Sequence, residues 1–298
     1  MSNNQTSTIT ETERLMVNIN TTNWVTGTNR YRLNFSSPVD LRGKKASLSM
    51  YQYGIYNSTY NISSKLGNNT YQIRWVNGIL YNITLPDGYY DFNALNLNIQ
   101  YNLIRNKLYF ENINNPSQVL YYISVSANSI QYASEININF VPSVIPTGFQ
   151  LPSGATWLQT TNKYPQLILS PGLRKLFGFT SQTSFPTSQT VPATAVNVAF
   201  TSNTYPVLSP VFTYLLTCNM VSSNVSPVPT LFYQVPLTKS FGSLISETVA
   251  QTNGITINPS IYNFIEITLL DQEYNSLSLI DPELTISLVI EIETTKST

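Results

Sequence analysis

The sequence contains no histidine, which removes the commonest general base, the usual partner of a catalytic serine or cysteine, and the commonest zinc ligand. It has a single cysteine, Cys218, so no intrachain disulfide can form and no oxidising compartment is required. Charge is scarce: 10% of residues are Asp, Glu, Lys or Arg, against roughly a quarter in an average soluble domain. The 15 bases balance the 15 acids, which argues against nucleic-acid binding through phosphate neutralisation. The basic groups Arg42-Gly-Lys-Lys45 and Arg174-Lys175 are too short to alter that balance. No apolar run approaches the roughly 20 residues that cross a bilayer as a helix. The start, Met1-Ser-Asn-Asn-Gln-Thr-Ser-Thr8, lacks the basic and apolar segments of a signal peptide. The expectation is an intracellular product without a membrane span. Glycines are scattered, with no run able to cradle a phosphate.

The polar surface must come mainly from Asn, Ser, Thr, Gln and the 20 tyrosines. A chain of 298 residues without net charge lacks the self-repulsion that keeps copies apart. Tyr, Ser and Asn also form contacts at modest entropic cost. Together these features point towards assembly. Asn-x-Ser/Thr triplets such as Asn57-Ser58-Thr59 are chance products of so Asn- and Thr-rich a chain.

Residues 1–12 are small and polar and predict a flexible N-terminal arm, followed by one domain over 13–298. Alternating segments predict strands at Tyr31–Phe35, Ala46–Tyr53, Tyr122–Val125, Ile136–Phe140, Phe212–Cys218 and Leu231–Val235. Asn77-Gly78 between Tyr71–Val76 and Ile79–Leu85 predicts a tight hairpin with positive φ at both turn residues. Asp91 is placed as the N-cap of a short helix with Leu95, Ile99 and Leu103 on one face. Ser170-Pro171 predicts a second helix, with Leu173, Leu176 and Phe177 as its apolar stripe and Gly178 as its stop. Thr180–Ser209 is rich in Ser, Thr and Pro and predicts a long connection.

The last two strands have the clearest pattern. Ile265, Ile267 and Leu269 alternate with Glu266 and Thr268, and Leu284, Ile286, Leu288, Ile290 and Ile292 alternate with Thr285, Ser287, Val289 and Glu291. Burying these apolar chains is worth roughly 12–24 kcal/mol, while ordering the strands costs about 20 kcal/mol. An antiparallel pair of this kind cannot stand alone and needs an opposing sheet, which makes the fold class all-β and the architecture a sandwich. Its outer face would be Thr285, Ser287, Val289 and Glu291.

Candidates for chemistry are few. Glu266, Asp271, Glu273, Asp281 and Glu283 form the only local acidic cluster, where paired carboxylates could hydrolyse a glycoside or hold calcium. As residues of turns and strand flanks they are more simply structural. Cys218, in an apolar strand, is expected to pack as a small hydrophobe. The aromatic side chains are spread along alternating strands, which favours core and interface over a sugar platform.

The order of certain segments resembles the minor capsid, or penton, proteins of virophages and the related polinton-like viruses. They are Lys45-Ala-Ser-Leu-Ser-Met50, Ile55-Tyr-Asn-Ser-Thr-Tyr-Asn-Ile62, Leu85-Pro-Asp-Gly-Tyr-Tyr90 entering a helix, Leu173-Arg-Lys-Leu-Phe-Gly-Phe179, and the strands from Leu231 through Ile261 to Ile292. The resemblance spans about Glu13 to Ile292 and rests on order and spacing. It implies a single jelly roll with two short helices. Five copies would form the homopentameric vertex capsomer of an icosahedral virion, in contact with a double-jelly-roll major capsid protein. It implies localisation in the virion, after assembly in the host cytoplasm at a virus factory, and no enzymatic activity. No catalytic, cofactor-binding or metal-binding residue and no cofactor is expected. Residues of about 104–210 exceed a minimal jelly roll and predict an insertion or elaborated loops. The alternative is a jelly-roll carbohydrate-binding or host-attachment module facing a host-surface glycan. A β-sandwich glycoside hydrolase is the third class.

Overall fold

The computed structural model describes residues 8–194, 196–222, 226–250, 254–277 and 279–297. The chain begins with β1 (Thr8–Asn20), a 3-10 turn at Thr21–Asn23, β2 (Arg30–Asp40) and β3 (Lys45–Tyr56). Asn20 caps the turn: its side chain accepts from the Thr22 N–H, and its own N–H donates to Asn23 Oδ1. Strand thus begins at Thr8, inside the stretch read as a flexible arm, because Thr8–Thr12 pair with Glu293–Ser297. Residues 1–7 of that arm lie outside the described residues.

From Asn61 to Pro210 the chain forms a second compact unit. It carries β4 (Thr70–Arg74), β5 (Leu80–Thr84), α1 (Phe92–Arg105), β6 (Phe110–Asn112), β7 (Val119–Leu120), β8 (Ile123–Asn128) and β9 (Ala133–Ile138). There follow β10 (Phe149–Gln150), β11 (Gln166–Leu169), α2 (Pro171–Leu176), β12 (Ser184–Phe185) and β13 (Val198–Thr201). The short strands form three antiparallel sheets, ordered β12-β11-β4-β5, β13-β9-β8 and β10-β6-β7. They enclose a core rich in aromatic rings. Trp75 and Phe110 each meet both Tyr122 and Trp157 edge-on, at centroid distances of 5.2–6.5 Å. That geometry suits the ring quadrupoles.

Both helices start where their caps predict. Asp91 accepts from the Ala94 N–H at 2.7 Å, and Leu95, Ile99 and Leu103 are buried. In α2, Ser170 is the cap and Pro171 the first residue. Gly178, at φ +80°, ends it: its N–H donates to the Lys175 carbonyl, and the Phe179 N–H reaches back to Arg174 O at 3.1 Å. The hairpin at Asn77-Gly78 forms, but only Gly78 has positive φ. Trp75 accepts from the Gly78 N–H and donates to Ile79 O, so the turn has three residues and ends in a glycine bulge rather than being the expected two-residue turn.

Back in the first unit come β14 (Thr213–Cys218), β15 (Leu231–Pro236), β16 (Leu244–Thr248), β17 (Ile255–Thr256), β18 (Ile261–Leu270) and β19 (Leu284–Ser297). One sheet is ordered β1-β19-β3-β16, with β17 also on β3, and the other β15-β14-β18-β2. Counting the eight main strands in chain order gives 1-8-3-6 and 2-7-4-5, which is a jelly roll. Val17, Ile19, Leu48, Ile55, Ile286, Leu288 and Ile290 from the first sheet share a core with Tyr31, Tyr214, Leu216, Ile265, Ile267 and Leu269 from the second.

The fold class is therefore all-β, with a jelly-roll sandwich and two helices. The final strands are not paired with each other, contrary to the sequence expectation. β18 lies between β14 and β2, and β19 lies between β1 and β3 in the other sheet. The link between them crosses from sheet to sheet, so each apolar face meets the other's across the shared core. The chain excursion begins at Asn61 rather than near residue 104.

Candidate interaction surfaces

Of the acidic residues that could have formed a catalytic or calcium site, Asp271, Asp281 and Glu266 have their carboxylates engaged in local structure. Asp271 Oδ1 accepts from the Glu273 and Asn275 backbones, each at 2.8 Å, and Asp281 Oδ1 accepts from Glu283 N–H at 2.8 Å. Glu266 pairs with Arg32 at 2.7 Å and with Arg30 at 3.9 Å, while Arg32 also stacks 4.4 Å above Phe264. Among the described residues no three Asp, Glu or Cys side chains group as metal ligands. Cys218 is 1% exposed, and burial pushes its thiol up to about 12, so it stays protonated at neutral pH and packs as a hydrophobe. Arg42 holds Asp40 at 2.7 Å and lowers that carboxyl to about 2. Arg174 donates to Ser181 O at 2.9 Å. None of these groups converges on a reacting centre.

What the fold does present is surface. Across β1, β19 and β3 the outward rows read Arg14–Glu291–Ser47, Met16–Val289–Ser49 and Asn18–Ser287–Gln52. Ion pairs sit towards one end, Arg14–Glu291 at 2.8 Å and Lys45–Glu293 at 3.2 Å. The middle of this face is hydroxyl and apolar, with Met16 59% exposed. Thr285 is exposed, while Ser287, Val289 and Glu291 are half-buried, because their strand is flanked on both sides.

The unit at 61–210 has its own exposed features. Leu97, Tyr101 and Ile104 line the solvent side of α1 at i, i+4 and i+7, opposite its buried stripe. The helical spacing that located Leu95, Ile99 and Leu103 also contained this second stripe. Tyr132 and Tyr205, both strongly exposed, stack with centroids 6.5 Å apart and planes 30° apart. Tyr132 sits at φ +49°, a conformation that costs an L-residue roughly 1–2 kcal/mol.

A cleft of about 650 Å³ is lined by Arg74, Asn162, Lys163, Gln166, Ser188, Gln189 and their neighbours. Gln166 is buried: its amide N donates to Pro186 O at 2.8 Å, and its Oε1 accepts from Arg74 at 3.2 Å. Gln189 Nε2 donates to Trp75 O and Tyr164 O, tying one wall to the core. These residues are far apart in sequence and form no motif, so only the fold brings them together.

The sandwich is an antiparallel jelly roll of eight main strands, and it carries no assembled catalytic constellation among the described residues. Solved structures similar to this chain include the mavirus penton protein, at 12% identity and a TM-score of 0.43, covering 97% of this chain and all of that one. A chain of the Sputnik virophage structure is 14% identical, with a TM-score of 0.41, covering 94% of this chain and 97% of that one. No family description and no curated protein sequence matches this chain.

Proposed function

We propose that this chain is a structural subunit of a viral capsid, five copies of which form the vertex capsomer of an icosahedral particle beside a major capsid protein. The observation that carries the reading is the complete jelly-roll strand order, with a 150-residue unit placed between its third and fourth main strands. The middle of the outer face of β1, β19 and β3 supports it, since its Ser, Val and Met side chains desolvate at little electrostatic cost. On this reading the protein resides at the virion vertices after assembly in the host cytoplasm, and it needs neither nucleic acid nor a cofactor. Electron microscopy of virions, together with native mass spectrometry of the purified protein, tests it. Fivefold density at the vertices fitted by this fold is the expected result. A stable monomer absent from the vertices would overturn the reading.

The second reading is host attachment to a glycan through the unit at 61–210. The exposed Tyr132–Tyr205 stack supports it, because the strained, solvent-facing Tyr132 is costly to hold for packing alone. A glycan array that returns hits lost on Tyr132→Ala is the expected result, and an array without hits removes this reading.

A further inference from the structure

We propose that the Arg74–Lys163 cleft binds an acidic saccharide, that is, a polyhydroxylated ring bearing carboxylate or sulfate groups. The proposal deepens the second reading, attachment through residues 61–210, and is independent of the vertex reading.

The net charge of zero conceals a division: residues 1–60 and 211–298 hold eight bases and eleven acids, and residues 61–210 hold seven bases and four acids. The two parts therefore carry −3 and +3. All four acids of the second unit are engaged away from the cleft. Asp87 accepts from Ser64, Asp91 caps α1, Glu111 accepts from Gln150 and Glu135 accepts from Asn137. Among the described residues no carboxylate lines the cleft. Among the described residues neither Arg74 nor Lys163 has an acidic partner within 4.0 Å. Two cations in one concavity, facing no carboxylate, concentrate positive potential where an anion would sit.

Thr161, Thr187, Ser188 and Thr190 offer hydroxyls, Asn162 its amide nitrogen and Gln189 its amide oxygen, so both donors and acceptors accompany the cations. That suits ring hydroxyls. No aromatic side chain lines the cleft, so it offers no platform on which a nucleobase could stack. The walls are built rather than incidental. Gln166 is 2% exposed and orients the Arg74 guanidinium, Gln189 is anchored to two core carbonyls, and Lys163 bridges Val141 on one side and Thr190 on the other. The volume of about 650 Å³ lies within the usual range of ligand sites.

Calorimetric titration of the full chain with a heparin-derived hexasaccharide, sialyllactose, lactose, inorganic sulfate and a single-stranded oligonucleotide tests the proposal. An acidic saccharide should bind at least tenfold more tightly than lactose and than sulfate alone. Arg74→Gln and Lys163→Gln should each weaken it about tenfold. Should Arg74→Gln fail to fold, Ser188→Glu places a carboxylate in the cleft and should abolish binding, while Ser188→Lys should retain it. Equal affinity for lactose, sulfate or a single-stranded oligonucleotide overturns the proposal, as does binding that survives Ser188→Glu. Hits lost with Tyr132→Ala and retained with Arg74→Gln would sink the cleft while leaving attachment through the tyrosine pair standing.

Discussion

The two units of this chain solve the same burial problem with different materials. The sandwich uses long strands, 13 residues in β1 and 14 in β19, whose aliphatic side chains alternate into one core between two sheets. The unit at 61–210 uses strands of two to six residues and fills its core with Trp75, Phe110, Tyr122, Trp157, Phe179 and Phe185. Short strands make few ladder hydrogen bonds, so its loops are fixed instead by side chains bonding to backbone. Trp157 Nε1 donates to Lys107 O at 2.6 Å, Ser134 Oγ to Phe177 O, and Gln166 to Pro186 O. Period-two alternation suffices to organise the first unit. The second depends on particular rings and particular polar contacts.

The largest effects should separate these strategies. Trp157→Ala removes edge-on contacts with Trp75 and Phe110 at 5.2 Å and orphans the Lys107 carbonyl. It should cost about 3–5 kcal/mol, at the upper end for large-to-small core changes. Ile290→Ala in the sandwich, at 0% exposure, should cost about 2–5 kcal/mol. Hydrogen exchange should show each loss confined to the unit that carries the substitution, since the two cores have no buried residue in common. Uniform loss of protection across both units would break the distinction.

Backbone demands come next. A Cβ on Gly178 would lie 2.3 Å from the Thr204 carbonyl oxygen, at a φ of +80°. Gly178→Ala should therefore cost about 3 kcal/mol, by strain and overlap together. Gly78→Ala, at φ +85° with nothing within 4 Å, isolates the strain and should cost about 1 kcal/mol in urea titrations. Equal costs would show that Thr204 yields.

The same contrast explains how much was legible in the sequence. Alternation in Ile265–Leu269 and Leu284–Ile292 revealed strands, an apolar face and the need for an opposing sheet. It could not reveal which strand pairs with which, because pairing is set by links that cross between sheets, and neither link nor partner has a local signature. Caps at Asp91 and Ser170 were legible because the cap bond spans three residues. The second unit's boundary at Asn61 was not, since the segment around it lacks a change of composition. The cleft was invisible for a similar reason: Arg74, Lys163 and Gln189 meet only through sheet and loop closure.

Alkaline pH offers a gentler comparison. Burial, aided by Asp281, raises the Tyr31 phenol well above its ordinary value of 10, and its O–H donates to Pro282 O at 2.6 Å. A raised folded value means the contribution is complete below about pH 10 and is lost as pH climbs through the folded value. Tyr71 in the other unit is raised as far, by burial above all, although its oxygen receives an Asn102 hydrogen bond at 3.3 Å that opposes the rise. Tyr31→Phe should cost about 1 kcal/mol at pH 7, through its lost hydrogen bond, and should flatten the fall in stability above pH 10. Tyr71→Phe should flatten it by a similar amount. A fall flattened by only one of the two substitutions, read from melting curves between pH 8 and 12, would contradict this account.

Helix capping and surface charge close the series. Asp91→Ala removes one cap bond from α1 and should cost about 1 kcal/mol, detected as lost exchange protection in the first turn of that helix.

The smallest effect belongs to the sandwich. Arg14 and Glu291 pair at 2.8 Å, but their side chains are 72% and 35% exposed. Glu291→Gln should change the stability of the isolated protein by no more than about 0.5 kcal/mol, and less still in high salt. The same substitution carries more information in assembly. If the β1-β19-β3 face is covered by a neighbouring subunit, removing Glu291 leaves Arg14 unpaired where water is excluded, and particle yield should fall although the monomer melts unchanged. Unchanged yield would assign that face to solvent and move the subunit contacts elsewhere on the sandwich.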